Sequence, residues 1–175
     1  RIQFTSDMLP SDILGVSVLN MRTNEFEFRQ GPIFANIVLA DEVNRTPPKT
    51  QSALLEAMSE FHVSTDGVTR PVPQPFMVLA TQNPIEYEGT YTLPESQLDR
   101  FMLRVEMGYP PIEDELHIMR RRDPHRIMER LQPVLSASEI IDLQEQVSDV
   151  TVDEAVARYM LEIVQGTRHN DYIHL

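Results

Sequence analysis

The 175-residue sequence contains no cysteine. Disulfides, thiolate nucleophiles and cysteine-based metal sites are thereby excluded, and the absence fits a reducing compartment. No apolar run approaches the length of a membrane span. No secretory leader is expected, since these 175 residues show no basic-then-apolar stretch, and they contain no internal repeat or low-complexity tract. The five histidines, His62, His117, His125, His169 and His174, are dispersed without metal-ligand spacing and read as surface or partly buried residues. Serine and histidine form no nucleophile elbow. Lysine occurs once, at Lys49, and the six glycines are scattered at 15, 31, 67, 89, 108 and 166. The sequence opens at Arg1 and is expected to be a segment of a longer, cytoplasmic protein.

What is present is an ordinary globular composition, 41% hydrophobic and 24% charged, with a net charge of -12. The acidity divides evenly, -6 in residues 1–111 and -6 in residues 112–175. Such a surface repels nucleic-acid phosphates unless a local basic patch overrides it. The densest basic cluster is Arg120, Arg121 and Arg122, followed by Arg126 and Arg130. Glu113, Asp114 and Glu115 precede it, so the run reads as a helix with acids near its start and bases near its end.

Along the chain, residues 2–5 read as a short strand. Residues 16–20 and 26–29 can pair as a hairpin around a polar turn. Residues 33–40 are the most apolar stretch and predict a central strand buried on both faces. Thr46-Pro47-Pro48 predicts a helix start with a capping hydroxyl. Ala53, Leu54, Ala57, Met58 and Phe61 then recur with helical period. Asp66-Gly67 predicts a tight hairpin between residues 62–65 and 68–72. Residues 76–81 read as a second buried strand, residues 94–100 as a short helix, and residues 102–107 as a third strand. Gly108-Tyr109-Pro110-Pro111 is the linker candidate. Beyond it the pattern is helical, with capping boxes at Ser136/Glu139 and Thr151/Glu154. The expected organisation is an α/β layer over 1–111 and an all-helical piece over 112–175.

Three places carry chemistry. The strand ending Leu39-Ala40-Asp41-Glu42 delivers two acids at its carboxyl edge, where open α/β sheets place ligands. One carboxylate there can hold Mg²⁺ while the next activates a water; two solvated acids are the plain alternative. The strand at 76–81 ends in Gln82-Asn83. The Asn83 amide can donate to a phosphate or hold a water without adding charge, or it can be a turn residue before Pro84. Arg100, in Leu98-Asp99-Arg100-Phe101, can be a salt-bridge partner within its own subunit or can reach a neighbour's transferring phosphoryl group.

The order and wording of these elements resemble the MoxR family of AAA+ ATPases. The matching segments are RIQFTSDMLPSDILG from Arg1, FEFRQGPIFANIVLADEVNRTPPKTQSALLEAM from Phe26, FMVLATQNPIEYEG from Phe76 and YTLPESQLDRF from Tyr91. The resemblance covers nearly all of residues 1–111 and is weaker, mostly helix pattern, from 112 to 175. It implies a P-loop NTPase parallel-sheet core followed by part of a helical lid. It implies that Asp41 is the Mg²⁺-coordinating acid of a Walker B strand and Glu42 the base that polarises the attacking water. Asn83 matches sensor 1, so that Asp41, Glu42 and Asn83 would face ATP. Arg100 matches the arginine finger that acts on the adjacent subunit. Residues 16–34 resemble the clade's helix-2 insert, and residues 61–75 its hairpin before sensor 1; both face the ring pore in such proteins. The implied protein is a ring, expected to be a hexamer, with ATP and Mg²⁺ as cofactors and with protein clients.

The sequence also departs from the family. It contains no G-x-x-x-x-G-K-[ST] phosphate loop and no G-x-S-P-R segment carrying a sensor 2 arginine; Arg168 is not in that motif. The segment alone is therefore expected to bind ATP poorly and to turn it over negligibly, and its sheet edge is expected to promote aggregation. Two other readings stay open at this level. One is a non-catalytic interaction module on the same fold. The other is a related machine such as a magnesium chelatase subunit or a DNA helicase, although a hairpin over residues 62–75 with one Arg and one Asp gives little grip on nucleic acid.

Overall fold

The computed structural model describes residues 1–83, 89–120 and 131–168. Pro84, His125, His169, His174 and the arginines at 121, 122, 126 and 130 lie outside the described residues. The chain forms two compact units, Arg1–Pro133 and Val134–Leu175.

The first unit is built on a three-stranded parallel sheet in the order β1-β4-β7. Its strands are β1 (Ile2–Gln3), β4 (Ile37–Asp41) and β7 (Met77–Ala80). Ile2 pairs with Ala40, and Ile37 through Ala40 pair with Met77 through Ala80. The short helix α1 (Pro10–Leu14) and the longer α2 (Pro48–Glu60) supply the helical layer. Ala53, Leu54 and Ala57 of α2 join Phe4, Ile13, Ile33, Val38 and Ala40 in one apolar core.

The strand at β4 alternates rather than being buried on both faces. Val38 and Ala40 enter the core, whereas Ile37 is 63% exposed and Leu39 is half-buried. Met77 and Leu79 of β7 are exposed on the same side. The described helices cover one face of this sheet, and a strand shows the period of the faces that are covered.

Two antiparallel hairpins are set on this frame. The first joins β2 (Gly15–Asn20) to β3 (Glu25–Gln30). Its root cannot carry side chains. A Cβ on Gly15, at φ +103°, would sit 2.2 Å from the Arg29 carbonyl oxygen, and one on Gly31 would sit 2.1 Å from that of Ile13. The second joins β5 (His62–Thr65) to β6 (Val68–Pro71) through Asp66-Gly67, both at positive φ as a type I′ turn demands. The hairpins touch. Ser17 Oγ donates to Asp66 Oδ2 at 2.5 Å, and the Arg70 guanidinium lies 3.8 Å from the centre of the Phe28 ring.

Two expectations for this unit are revised. Thr46 does not cap α2: Pro47 occupies the cap position, and the Thr46 hydroxyl is buried without a hydrogen-bond partner. Residues 102–107 form no strand, because a strand needs a partner edge and none pairs with them among the described residues. Their apolar side chains, Met102, Leu103, Val105 and Met107, are exposed. The remaining helices of this unit are α3 (Glu95–Leu98) and α4 (Ile112–Arg120).

The second unit is all-helical where described, with α5 (Ala137–Ser148) and α6 (Glu154–Arg168). Ser136 and Glu139 close the expected capping box on α5. On α6 the helix starts at Glu154, which leaves the cap to Asp153, whose carboxylate accepts from the Ala155 amide at 2.9 Å. Thr151 lies too early in the chain to serve. No described helix is long and apolar enough to cross a membrane.

Candidate functional site

The carboxyl edge of the sheet collects the acids and their partners. Asp41 is the last residue of β4 and stands on the same strand face as Leu39. Its register places it beside Gln3 of β1, and one step beyond the Ala40–Ala80 pair lies Thr81. Thr81 Oγ1 donates to Asp41 Oδ1 at 2.5 Å. Arg1 engages Oδ2 in an ion pair, with Nε at 3.1 Å. The Thr81 hydroxyl, and after it the Arg1 guanidinium, hold the Asp41 carboxyl below the usual carboxylate range against a smaller opposing effect of burial.

Glu42 leaves the strand abruptly. Its backbone is left-handed, at φ 57° and ψ 49°, and it precedes a 3-10 turn at Val43–Arg45. That conformation is uncommon outside glycine, asparagine and aspartate. The turn is fixed by Thr81 from the neighbouring strand: the Glu42 amide donates to Thr81 Oγ1 at 2.9 Å and the Val43 amide to the Thr81 carbonyl at 3.0 Å. The Glu42 side chain is held from both sides. Gln3 Nε2 donates to Oε2 at 2.8 Å, and the Arg45 guanidinium reaches the same oxygen at 3.1 Å. Two adjacent acids thus leave one strand in different directions, each oriented by neighbouring strands.

Asn83 lies three residues past the end of β7. Its backbone is bound to the side chain of Asn44, which donates from Nδ2 to the Asn83 carbonyl at 3.0 Å and accepts the Asn83 amide at 3.4 Å. Behind this pair sits Gln51 of α2, 2% exposed. Its Nε2 is shared among the carbonyls of Val43, Thr46 and Tyr91 at 3.1, 3.2 and 3.1 Å. Asp41 ends one strand, and Glu42 and Asn83 follow the ends of two adjoining parallel strands, at one edge of the sheet.

Arg100 lies elsewhere. It follows α3, and its side chain runs along the C-terminal half of α2, donating to the Leu55 carbonyl at 3.4 Å and to Ser59 Oγ. Together with Ser52, Leu55, Glu56, Glu60 and Gln97 it lines an open recess of about 240 Å³. Among the described residues, no group of three or more His, Asp or Glu side chains clusters as a metal-ligand set.

Sequence reading singled out Asp41, Glu42, Asn83 and Arg100 and passed over the residues that orient them. Thr81 and Gln3 were within reach of a register argument, since both adjoin Asp41 once the strands are aligned. Asn44 and Gln51 gave no signal, because their partners are backbone atoms, which carry no side-chain pattern, and the Asn83 and Tyr91 groups among them lie about forty residues away.

The ATPase family associated with various cellular activities (AAA) matches residues 1–103. The protein YeaC of Bacillus subtilis is 54% identical over 175 residues, which are all of this chain and 55% of that protein. Chaperone MoxR1 of Mycobacterium tuberculosis is 46% identical over 168 residues, covering 96% of this chain and 44% of that one. A crystal structure of a candidate ATPase from Cytophaga hutchinsonii superposes with a TM-score of 0.81 at 45% identity, over 95% of this chain and 50% of its own. The chain spans about half the length of these relatives.

Proposed function

This chain belongs to the MoxR family of AAA+ ATPases, and from that premise we propose that it forms the metal- and water-handling side of a site that hydrolyses ATP in the intact protein. The observation that carries the reading is the adjacency of Asp41 and Glu42 at the carboxyl edge of a parallel sheet, with Thr81 and Asn83 just past the end of the next strand. Ligands of open α/β sheets collect at that edge.

The donor set fits a hard divalent cation. Asp41 offers a carboxylate kept readily ionised by Thr81 and Arg1, and the Thr81 hydroxyl is an oxygen donor beside it. Mg²⁺ in phosphoryl-transfer sites takes one or two carboxylates and completes its shell with phosphate and water. When bound, it offsets the charge that develops on the transferring phosphoryl group. Asp41 holds the cation in this reading. Glu42, steadied by Gln3 and Arg45, orients the attacking water and accepts its proton. The Asn83 amide fixes the water or the terminal phosphate.

Arg100 supplies the remaining positive charge to the neighbouring subunit's ATP. In the single chain it rests on Ser59 and Leu55, so assembly has to draw it away from α2. The protein acts as a ring, a hexamer, in the cytoplasm, and remodels protein clients; the chaperone name of the mycobacterial relative supports that choice of partner.

The test is Glu42→Gln in the intact protein. Nucleotide binding is expected to persist while turnover falls by about 100-fold or more, the usual cost of losing a general base. Turnover at the unsubstituted rate would remove Glu42 from the role and the site from the reaction.

A further inference from the structure

The ladder between β4 and β7 does not stop where the strands end. The Thr81 amide donates to the Ala40 carbonyl at 2.9 Å, and the Val43 amide returns to the Thr81 carbonyl at 3.0 Å. At the next step a side chain takes over from the backbone. Asn44 meets Asn83 with a donor and an acceptor together, at 3.0 and 3.4 Å, as a further strand residue would. We propose that Asn44 is a positioning residue that sets the distance between Glu42 and Asn83, so that the water and the phosphate are met in one geometry.

Three observations support this. Asn44 is buried, at 8% exposure, so bulk water offers its amide little as an alternative to these partners. Its own backbone is anchored, because its carbonyl accepts the Tyr91 amide at 2.6 Å. The turn that carries it is held from the core side by Gln51, whose amide binds the carbonyls of Val43 and Thr46 on either side of the turn. Asn44 therefore stands on a fixed base two residues after Glu42 and reaches the backbone of Asn83. A displacement of about 1 Å at a reacting centre costs about 100-fold in rate. The Asn44 contacts decide a distance of that order.

The inference rests on the proposed ATP-hydrolysing function, and one series of variants separates the two. Steady-state ATP hydrolysis and binding of a fluorescent ATP analogue are measured on the intact protein with Asn44→Asp. That change keeps the shape and the acceptor for the Asn83 amide, but sets a carboxylate oxygen against the Asn83 carbonyl. The turnover number is expected to fall about 10- to 100-fold, with KM and analogue affinity within about threefold. In an Asn83→Ala background the same change is expected to cost less than about twofold, because its route to the reaction is gone. Asn44→Ser, too short to span the gap, carries the same expectations should the aspartate variant be insoluble. A purely structural role would lower the melting temperature and leave the turnover number of the folded fraction unchanged, and that result overturns the proposal. So does a full, multiplicative loss in the Asn83→Ala background. A Glu42→Gln control that still hydrolyses ATP at the original rate brings down the functional reading, and this inference with it.

Discussion

At the sheet edge, the protonation of Asp41 bears on stability. Its carboxyl is held below its ordinary value of 3.8 by Thr81 and Arg1. A lowered carboxylate stabilises the fold fully above its unfolded-state value, and the contribution is lost as pH falls through the folded-state value. Urea unfolding between pH 6 and pH 3 is therefore expected to show Asp41→Asn less stable than the parent at the upper end, with the gap closing below about pH 4. Thr81→Val removes the larger of the two hydrogen bonds and is expected to move the onset of acid loss upward. A gap that stays constant across the range would mean that the hydroxyl and guanidinium do not hold the charged form.

Gly15 and Leu54 test the frame at the same scale. Gly15→Ala forces a methyl group against the Arg29 carbonyl at a backbone angle that side chains avoid. A loss of about 1–3 kcal/mol is expected from denaturant midpoints. Leu54 is almost fully buried among Phe4, Ile13 and Val38, and Leu54→Ala is expected to cost about 2–5 kcal/mol by the same measurement. A change below about 1 kcal/mol at Leu54 would place it outside the core.

Among the elements, the parts legible in sequence were those whose signal is local. Asp66-Gly67 fixed the second hairpin, and Ser136 with Glu139 fixed the start of α5, because turn and cap chemistry act within four residues. The parallel strands at β4 and β7 were legible as apolar runs ending in polar residues. Which of their faces is covered was not, since that depends on what packs against them. Residues 102–107 show the same limit from the other side: strand-like composition with no paired edge remains irregular. The acidic pair and Asn83 were legible as candidates because they fall at or just past the ends of adjacent apolar strands. The in-chain seat of Arg100 on α2 was not, since Leu55 and Ser59 lie more than forty positions earlier.

The two hairpins give a prediction of their own at this scale. The only charges between His62 and Pro75, Asp66 and Arg70, both face the first hairpin, one on Ser17 and one over Phe28. Arg70 is further tied to Thr65 and Val68 within its own hairpin. The pair should behave as one projection and not as two independent arms. A double-mutant cycle on Arg70→Gln and Phe28→Leu is expected to show a coupling of about 0.5–1 kcal/mol. Strict additivity would mean that the hairpins are energetically independent.

For the whole molecule, charge and sequence weigh against a strong grip on phosphate. The net charge is -12, and neither a G-x-x-x-x-G-K-[ST] loop nor a second lysine occurs in the 175 residues. Backbone donors of a phosphate loop and its lysine supply most of the hold on a nucleotide. Calorimetric titration of the 175-residue chain by itself is expected to find no ATP binding tighter than about millimolar. Micromolar affinity would show that the acidic edge, Asn83 and their neighbours bind the triphosphate without that loop.

The left-handed backbone at Glu42 sets durability against work at a single position. A glycine there would adopt the same angles at no steric cost, and would surrender only two partly exposed polar contacts, to Gln3 and Arg45. Glu42→Gly is thus expected to melt close to the parent while hydrolysing nothing. If Glu42 has the proposed role, the awkward bend is what presents the acid, and a screen that selected for heat resistance alone would be blind to its loss.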